Sequence, residues 1–255
     1  MYKKALFLIP ALACAAIKPS LGIETGIGWE RITQSSRVNA SLVEGKYKRL
    51  LTFDVGLSAR LDLNHLYFIG QTRYRTFLTT PTFNTYANGT LLLPIKECTR
   101  EYGIDYNGYF GYDFTYGSFT VAPEVGLAYQ RLVLNRGSAI AIGAPFAGFH
   151  TDWRFTRHWR LSTFFNYSFL GWKREDVPDE PQILSTTRFE TGLFAGPAAG
   201  LSFGYSYVDK WNIILGFNVK YLESSARVFT TDSLHDDAST SWLRASSHVE
   251  ITYNF

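Results

Sequence analysis

The chain has 255 residues and a formal net charge of +3, which is too small to favour binding to nucleic acid. Aromatic residues make up 16% of it, with 16 Tyr and 20 Phe, and its 21 Gly outnumber its 9 Pro. This composition is typical of β-strands and tight turns rather than helices, while the length allows one large domain or two.

The N-terminal segment, 1–22, is predicted to be a secretory signal peptide. Two lysines precede an apolar run that is shorter than the roughly 20 residues a transmembrane helix needs. Small residues follow, and the pattern allows cleavage after Ala15, after Ala16 or after Gly22. We expect residues 23–255 to form the mature domain.

The two cysteines predict no internal disulfide. Cys14 leaves with the signal peptide, so only Cys98 remains. Cys98 is then either an idle loop thiol or a partner in an intermolecular disulfide.

After the signal peptide, ten segments alternate between apolar and polar residues with the period of two that is typical of a β-strand. Pro123 removes one ladder donor and predicts a local irregularity, and Gly196-Pro197 predicts a β-bulge. The predicted strands are 23–30, 51–62, 66–76, 101–114, 119–130, 147–155, 159–169, 188–207, 211–221 and 240–255.

Four short turns alternate with five longer connections between these strands, among them 33–46, 79–99 and 223–239. The pattern predicts an all-β fold: a transmembrane, antiparallel, up-and-down β-barrel of about ten strands. The termini and short turns would be periplasmic, and the longer loops would face outward. Aromatic residues near the periplasmic strand ends would form a girdle: Trp153, Trp159, Tyr207, Trp211, Tyr253 and Phe255.

The last strand has an apolar face that ends on an aromatic residue. Val249, Ile251, Tyr253 and Phe255 share this face. The ending resembles the terminal signal by which Gram-negative outer-membrane β-barrels are recognised and assembled. The resemblance implies outer-membrane lipid and the barrel-assembly machinery as partners, and it implies no nucleic acid.

A soluble β-sandwich or a lipocalin-like barrel is the alternative fold. Its strands would have about 5 to 6 residues, whereas those predicted here have about 10. The polar faces also carry acids and bases at mid-strand. Because a Lys or Arg facing lipid at mid-membrane costs about 2 to 4 kcal/mol, these faces are expected to line a lumen.

The predicted lumen carries both signs of charge. A network of ion pairs that fills the barrel is one interpretation, since barrels of about eight strands are filled by side chains. A narrow pore that favours anions is the other, if the inward glycines leave a gap. The predicted lining residues are Asp54, Arg60, Arg73, Arg75, Asp105, Glu124, His150, Asp152, Arg154, Arg160, Arg188, Glu190, Lys220, Arg244, His248 and Glu250.

The last loop holds the sharpest catalytic candidates, Asp232 and His235, followed by Asp236 and Asp237. The hairpin 200–225, with Tyr205, Tyr207, Gly216, Lys220 and Tyr221, resembles a hairpin of the omptin proteases. That resemblance implies an Asp and a His as catalytic residues. Omptins place the two residues two positions apart and face them with an Asp pair on another loop, whereas Asp232 and His235 are three apart and 79–99 has no Asp.

The same acidic loop allows two further interpretations, a divalent-cation site or a solvated loop. No Ser/His/Asp set, zinc spacing or phosphate loop is recognisable, so no metal and no cofactor are expected.

Three functions follow as hypotheses. The first is a narrow porin-like channel for ions or small solutes, resembling in size the small porins of chlamydia-like bacteria. The second is an adhesin or structural surface barrel that acts through the loops 79–99 and 223–239. The third is an omptin-like protease.

Overall fold

The structure of the chain is a computed structural model, and it describes most residues from Ile17 onward. Most of the predicted signal peptide, Cys14, Cys98 and Asp232 lie outside the described residues. The described ranges are 17–38, 41–79, 82–88, 90–96, 102–133, 139–176, 188–208, 210–226 and 235–255.

Thirteen strands make up the described part of the chain. They are β1 (Ile17–Val38), β2 (Ser41–Leu63), β3 (Leu66–Phe77), β4 (Thr82–Ala87), β5 (Thr90–Lys96), β6 (Tyr102–Tyr112), β7 (Phe114–Tyr116), β8 (Phe119–Val133), β9 (Ala139–Arg154), β10 (Trp159–Asp176), β11 (Arg188–Tyr207), β12 (Trp211–Ala226) and β13 (His235–Asn254).

The strands close into an antiparallel barrel, and the predicted fold class is confirmed. The barrel order is β1-β2-β3-β6-β8-β9-β10-β11-β12-β13, and β13 pairs with β1 to close it. Ile23 of β1 pairs with Ile251 of β13, as expected for the closing strand. The short strand β7 continues β6 along β8 after a break at Asp113.

That break lies opposite Pro123, the predicted irregularity. Gly111 pairs with Glu124 and Phe114 pairs with Val121, so the unpaired positions between them face Ala122 and Pro123. Pro123 has no N–H to donate to the ladder. On the other side of β6, the Asp113 N–H donates to the carbonyl of His65 at 2.7 Å, so the pairing with β3 continues past the break.

The predicted bulge lies on the neighbouring strand. Between Ser168 and Gly171, β10 contains one residue more than β11 does, and Leu170 has a φ of 50°. The register of β11 with β12 stays regular past Gly196 and Pro197. The extra residue therefore belongs to β10, opposite the Gly-Pro pair.

Three segments predicted as loops contain β-structure, so those assignments were wrong: 33–46, 79–99, and both ends of 223–239, which belong to β12 and β13. β1 and β2 run on through 33–46 as one long hairpin, with Ser36 opposite Val43. Within 79–99, β4 pairs with β5 and with the Val43–Tyr47 part of β2. Many residues of these segments are polar, yet they form strands. The paired strands continue side by side beyond the membrane-facing region, and their backbones keep hydrogen-bonding to each other.

The barrel has two different ends. One of them, the turn end, carries four short connections, the start of β1 and the end of β13; Ser20 pairs with Asn254 there. The other end, the loop end, carries the β1–β2 extension and the β4–β5 hairpin. The predicted girdle aromatics lie around the turn end; Trp211 is 4.8 Å from Tyr253, ring centre to ring centre.

The outer and inner faces of the barrel wall carry different side chains, as the alternation of apolar and polar residues in the sequence predicts. Apolar side chains point outward and remain exposed, Leu127 at 66% and Leu215 at 58% among them. Charged side chains point inward and are buried, for example Arg75 and Glu30, both at 0%. This pattern is that of a barrel in lipid, with its charged side chains inside and its apolar side chains outside.

Among the described residues, no helix is long and apolar enough to cross a membrane.

Candidate functional site

Five buried charged side chains from five strands form a cluster across the lumen, here called the ionic layer. Its members are Glu30, Asp54, Arg75, Asp105 and Arg244, none more than 5% exposed. Arg75 donates Nη1 to Glu30 and Nη2 to Asp105 Oδ1 at 2.6 Å. Arg244 donates Nη1 to Asp105 and Nη2 to Asp54 Oδ2 at 2.5 Å. Each guanidinium thus bridges carboxylates from two other strands.

The strand register places these groups together. Asp54 lies directly opposite Arg75 in the β2–β3 ladder, and Glu30 lies opposite Arg244 in the β1–β13 ladder. Opposite charges at directly opposed positions attract, and the period of two keeps all of them on the inner face. Asp105 comes from β6 and joins the two pairs.

A second cluster, here called the apolar layer, fills the lumen next to the ionic layer on its loop-end side. Its members come from seven of the ten barrel strands, and Phe77 of β3 packs against them. All are at most 2% exposed. The apolar layer consists of Ile32, Leu50, Leu132, Ile140, Ile142, Phe194, Leu222 and Trp242.

Trp242 joins the two layers. Its indole Nε1 donates to Glu30 Oε2 at 3.1 Å, and its ring lies 5.7 Å from the guanidinium carbon of Arg75. A buried indole N–H needs an acceptor, and the ionic layer supplies one. Because none of these side chains is more than 5% exposed, we infer that the two layers fill the lumen at this level.

The inward glycines do not leave a gap, contrary to what a pore would need. A Cβ added at Gly103 would come within 2.7 Å of Arg75 Nε, and one at Gly111 within 2.4 Å of the Tyr67 ring. At Gly200 it would meet the ring of Phe164 at 2.2 Å. Each of these glycines makes room for a large side chain from the next strand, so the lumen is filled rather than widened.

Between the ionic layer and the turn end, the lumen widens into a cavity of about 1090 Å³. Gly117, His158 and Lys210 from the short turns line its mouth, while Asp105, Lys220 and Arg244 lie at its roof. The cavity therefore opens at the turn end and ends at the ionic layer. We call it the turn-end cavity.

A hydrogen-bonded chain follows one wall of this cavity. Tyr67 donates its hydroxyl to Glu124 Oε1 at 2.5 Å and lies 3.2 Å from His150 Nδ1, while His150 Nε2 is 2.8 Å from Asp152 Oδ2. Ser162 donates to the other oxygen of Asp152. Because the serine bonds to the aspartate and not to the histidine, this is not the arrangement of a nucleophilic triad.

One described group brings metal-ligand atoms within 4.8 Å of one another: Glu24, His248 and Glu250. Arg73 already holds both carboxylate oxygens of Glu24, with Nη2 at 2.8 Å from Oε2, and Ser58 donates to Glu250. These contacts are those of a structural network. The arginine would oppose a second cation at the same carboxylate.

No protein-family model matches the chain, and no curated protein matches it either. Among solved structures, the outer membrane protease OmpT from Escherichia coli has a TM-score of 0.66 at 10% identity, over 93% of this chain and 97% of that one. The fold is that of the outer-membrane β-barrels. The β-domain of the Bordetella autotransporter BrkA (TM-score 0.43, 11% identity, 94% and 100% coverage) and OprG from Pseudomonas aeruginosa (0.41, 10%, 92% and 95%) are less similar.

In this outer-membrane barrel, fourteen of the sixteen predicted lumen residues have a described side chain, and all fourteen lie at inward positions. Twelve line the turn-end cavity, and Asp54 and Arg75 belong to the ionic layer. Arg188 and Glu190 are described by backbone only, opposite Glu175 and Lys173. His235 begins β13 opposite Val38, and its predicted partner Asp232 lies outside the described residues.

The sequence interpretation missed the apolar layer. Ile32 and Ile140 lie outside the predicted strands, and Trp242 lies on a predicted strand without a predicted role. A signal was present in 139–144, where both faces of the segment are apolar or small, which indicates a strand buried on both sides.

Proposed function

We propose that the protein is an outer-membrane barrel with a closed lumen that acts at the cell surface, as an adhesin or a structural surface protein, and that it is not an open channel. The observation that carries the proposal is the closure of the lumen by the ionic and apolar layers. A water-filled channel usually needs about 16 strands, whereas ten strands enclose a lumen narrow enough for side chains to fill.

The loop end supplies the proposed binding surface. The β1–β2 extension reaches Val38 and Ser41, and the β4–β5 hairpin pairs with the same extension. By the outer-membrane rule, short turns are periplasmic, so this β-structure lies on the outside of the cell. Pairing with β2 ties the backbone of this hairpin to the barrel, as a recognition surface requires.

The surface role can be tested by deleting residues 82–96, the β4–β5 hairpin, since the ten barrel strands do not include it. Bacteria that display the intact barrel should bind cultured epithelial cells or immobilised matrix proteins, and bacteria that display the deletion should not. Equal binding by both would contradict the adhesin role. Surface labelling with an antibody against the barrel controls for expression.

A protease is the second candidate, favoured by the structural likeness to an outer membrane protease. It would use His235 at the loop end with Asp232. The refolded protein should then cleave basic peptides, and His235→Ala should abolish cleavage. An inactive wild type removes this candidate.

Export to the outer membrane is part of the proposal. β1 begins at Ile17; Ile17–Gly22 pair with β2, and Ser20–Gly22 also pair with β13. Cleavage after Ala15 or Ala16 would keep these pairs, so we expect the mature protein to begin at residue 16 or 17. Mass spectrometry of protein from outer membranes measures this, and a non-reducing gel tests the intermolecular disulfide through Cys98.

A further inference from the structure

Four uncharged amide side chains line the turn-end cavity, one from each of four strands; together they are here called the amide ring. Its members are Gln71 of β3, Asn107 of β6, Asn166 of β10 and Asn218 of β12. All four side chains are partly exposed. They are therefore within reach of a solute in the cavity.

The strand order distributes these amides around the cavity. Gln71 lies directly opposite Asn107 in the β3–β6 ladder. β6 and β12 are five strands apart in the ten-strand barrel order, so Asn107 and Asn218 stand on opposite walls. β10 is four strands from β3, which places Asn166 across the cavity from Gln71. Asn107 is two residues from Asp105 on the turn-end side, just below the ionic layer.

The roof above the amide ring is electrically balanced. The three carboxylates of the ionic layer are matched by the two arginines of that layer and by Lys220 of the roof. Arg73 in turn is bonded to both carboxylate oxygens of Glu24. A solute at this level therefore meets no excess of either charge, which favours an uncharged one.

The amides have hydrogen-bonding capacity to offer to such a solute. Within the described ranges, Gln71 and Asn107 make no side-chain hydrogen bond. Asn218 Oδ1 accepts from Ser246 Oγ at 2.8 Å, which leaves the N–H groups of Asn218 as donors. Asn166 Oδ1 has no hydrogen-bond partner in the part of the chain that the structure describes. Donors and acceptors together suit hydroxyl groups, because each hydroxyl both donates and accepts.

Two phenylalanines add apolar surface to the same cavity. Phe164 lies two residues from Asn166 on β10, with its ring over Gly200. Phe146 also lines the cavity and packs edge-on against Tyr109, with the ring centres 5.9 Å apart. A sugar ring carries hydroxyls at its edge and C–H groups on its faces. It can therefore bond to amides and pack against an aromatic ring at the same time.

We propose that the turn-end cavity binds a neutral saccharide of two or three rings, held by hydrogen bonds to the amide ring. Ligand sites usually have about 300 to 1,000 Å³, and this cavity, at about 1090 Å³, is large enough for such a solute. The saccharide enters from the turn end, which the outer-membrane rule places in the periplasm. This site is independent of what the loop end binds.

Maltotriose and triacetylchitotriose, two neutral trisaccharides, are the probes. The refolded barrel is titrated with each by calorimetry, in an amine-oxide detergent that has no sugar headgroup to compete. At least one probe should bind saturably, with an affinity that added salt leaves unchanged, because the solute is uncharged. Asn107→Leu and Gln71→Met nearly keep the side-chain size but remove the amide, so each should weaken the affinity about tenfold.

Thr72→Val is the matched control, because Thr72 follows Gln71 on β3 but does not line the cavity. It removes one hydroxyl and should leave the affinity unchanged. Wild type that binds neither probe, binding that weakens steeply with salt, unchanged affinity in both amide variants, or an equal loss in Thr72→Val would each overturn the proposal. Heat-modifiable migration on gels checks folding, and Gln71→Met gives the same test if Asn107→Leu fails to fold.

Discussion

The indole Nε1 of Trp242 donates to Glu30 Oε2 at 3.1 Å, at the boundary between an apolar and an ionic layer that both span the lumen. The bond satisfies a buried donor and one oxygen of a fully buried carboxylate. It also fixes the two layers to each other. The closed lumen depends on contacts of this kind, and each can be tested alone.

Trp242→Phe should lower the free energy of unfolding by about 1 to 3 kcal/mol, because it keeps an aromatic ring but leaves Glu30 Oε2 unsatisfied. Urea unfolding of the barrel refolded into vesicles, followed by gel migration, measures this. Trp172→Phe is the control, since Trp172 is 45% exposed on the barrel and should change stability by less than about 0.5 kcal/mol. Equal effects of the two variants would contradict the role of the bond.

Arg75→Met should be more destabilising, by about 3 to 5 kcal/mol, because it leaves three buried carboxylates, Glu30, Asp54 and Asp105, with Arg244 as the one remaining guanidinium of the ionic layer. The same unfolding measurement applies. Arg131→Met, on the outer surface, is the control and should be close to neutral. A near-neutral Arg75→Met would mean that the ionic layer does not hold the strands together.

Two glycines of the same strand test whether inward glycines make room for large side chains. A methyl at Gly103 would meet Arg75 Nε at 2.7 Å, whereas a Cβ at Gly108 meets nothing within 4 Å. Gly103→Ala should therefore destabilise the barrel by about 1 to 3 kcal/mol through overpacking. Gly108→Ala should be neutral or slightly stabilising. The reverse order would contradict a filled lumen.

Neighbouring residues of the closing strand test which face meets lipid. Ile251 is 48% exposed on the outside, while Thr252 lines the cavity. Ile251→Lys should impair assembly, because a lysine facing lipid is destabilising, by about 2 to 4 kcal/mol at the bilayer midplane and by less toward the girdle, near which Ile251 lies. Thr252→Lys should assemble, and Phe255→Ala should impair assembly if the aromatic end is the assembly signal. Surface levels of the three variants measure the outcome.

Much of the fold could be predicted because apolar and polar residues alternate along each strand with a period of two. A shift of one residue in a strand would turn its charged side chains toward lipid. Arg75, Asp105 and Arg244 were assigned to the lumen on that ground, and their inward positions follow from it. Alternation does not predict which charged residues form ion pairs with each other. That depends on the stagger between strands far apart in sequence, such as β1 and β13.

The apolar layer could not be predicted in the same way. At the loop end, the barrel continues beyond the belt of outward-facing apolar residues. Ile32 and Leu222 point inward there, so the expectation that inward side chains are polar does not hold. Thr33–Lys46 read as a loop because its residues are polar, yet β1 and β2 satisfy each other's backbone there. Backbone pairing with a neighbouring strand, rather than composition, decides whether such a segment forms a strand.

The most direct test of the closed lumen is conductance in planar bilayers. The refolded wild type should show no single-channel steps. Regular steps from the wild type would contradict a closed lumen and would favour the porin hypothesis instead.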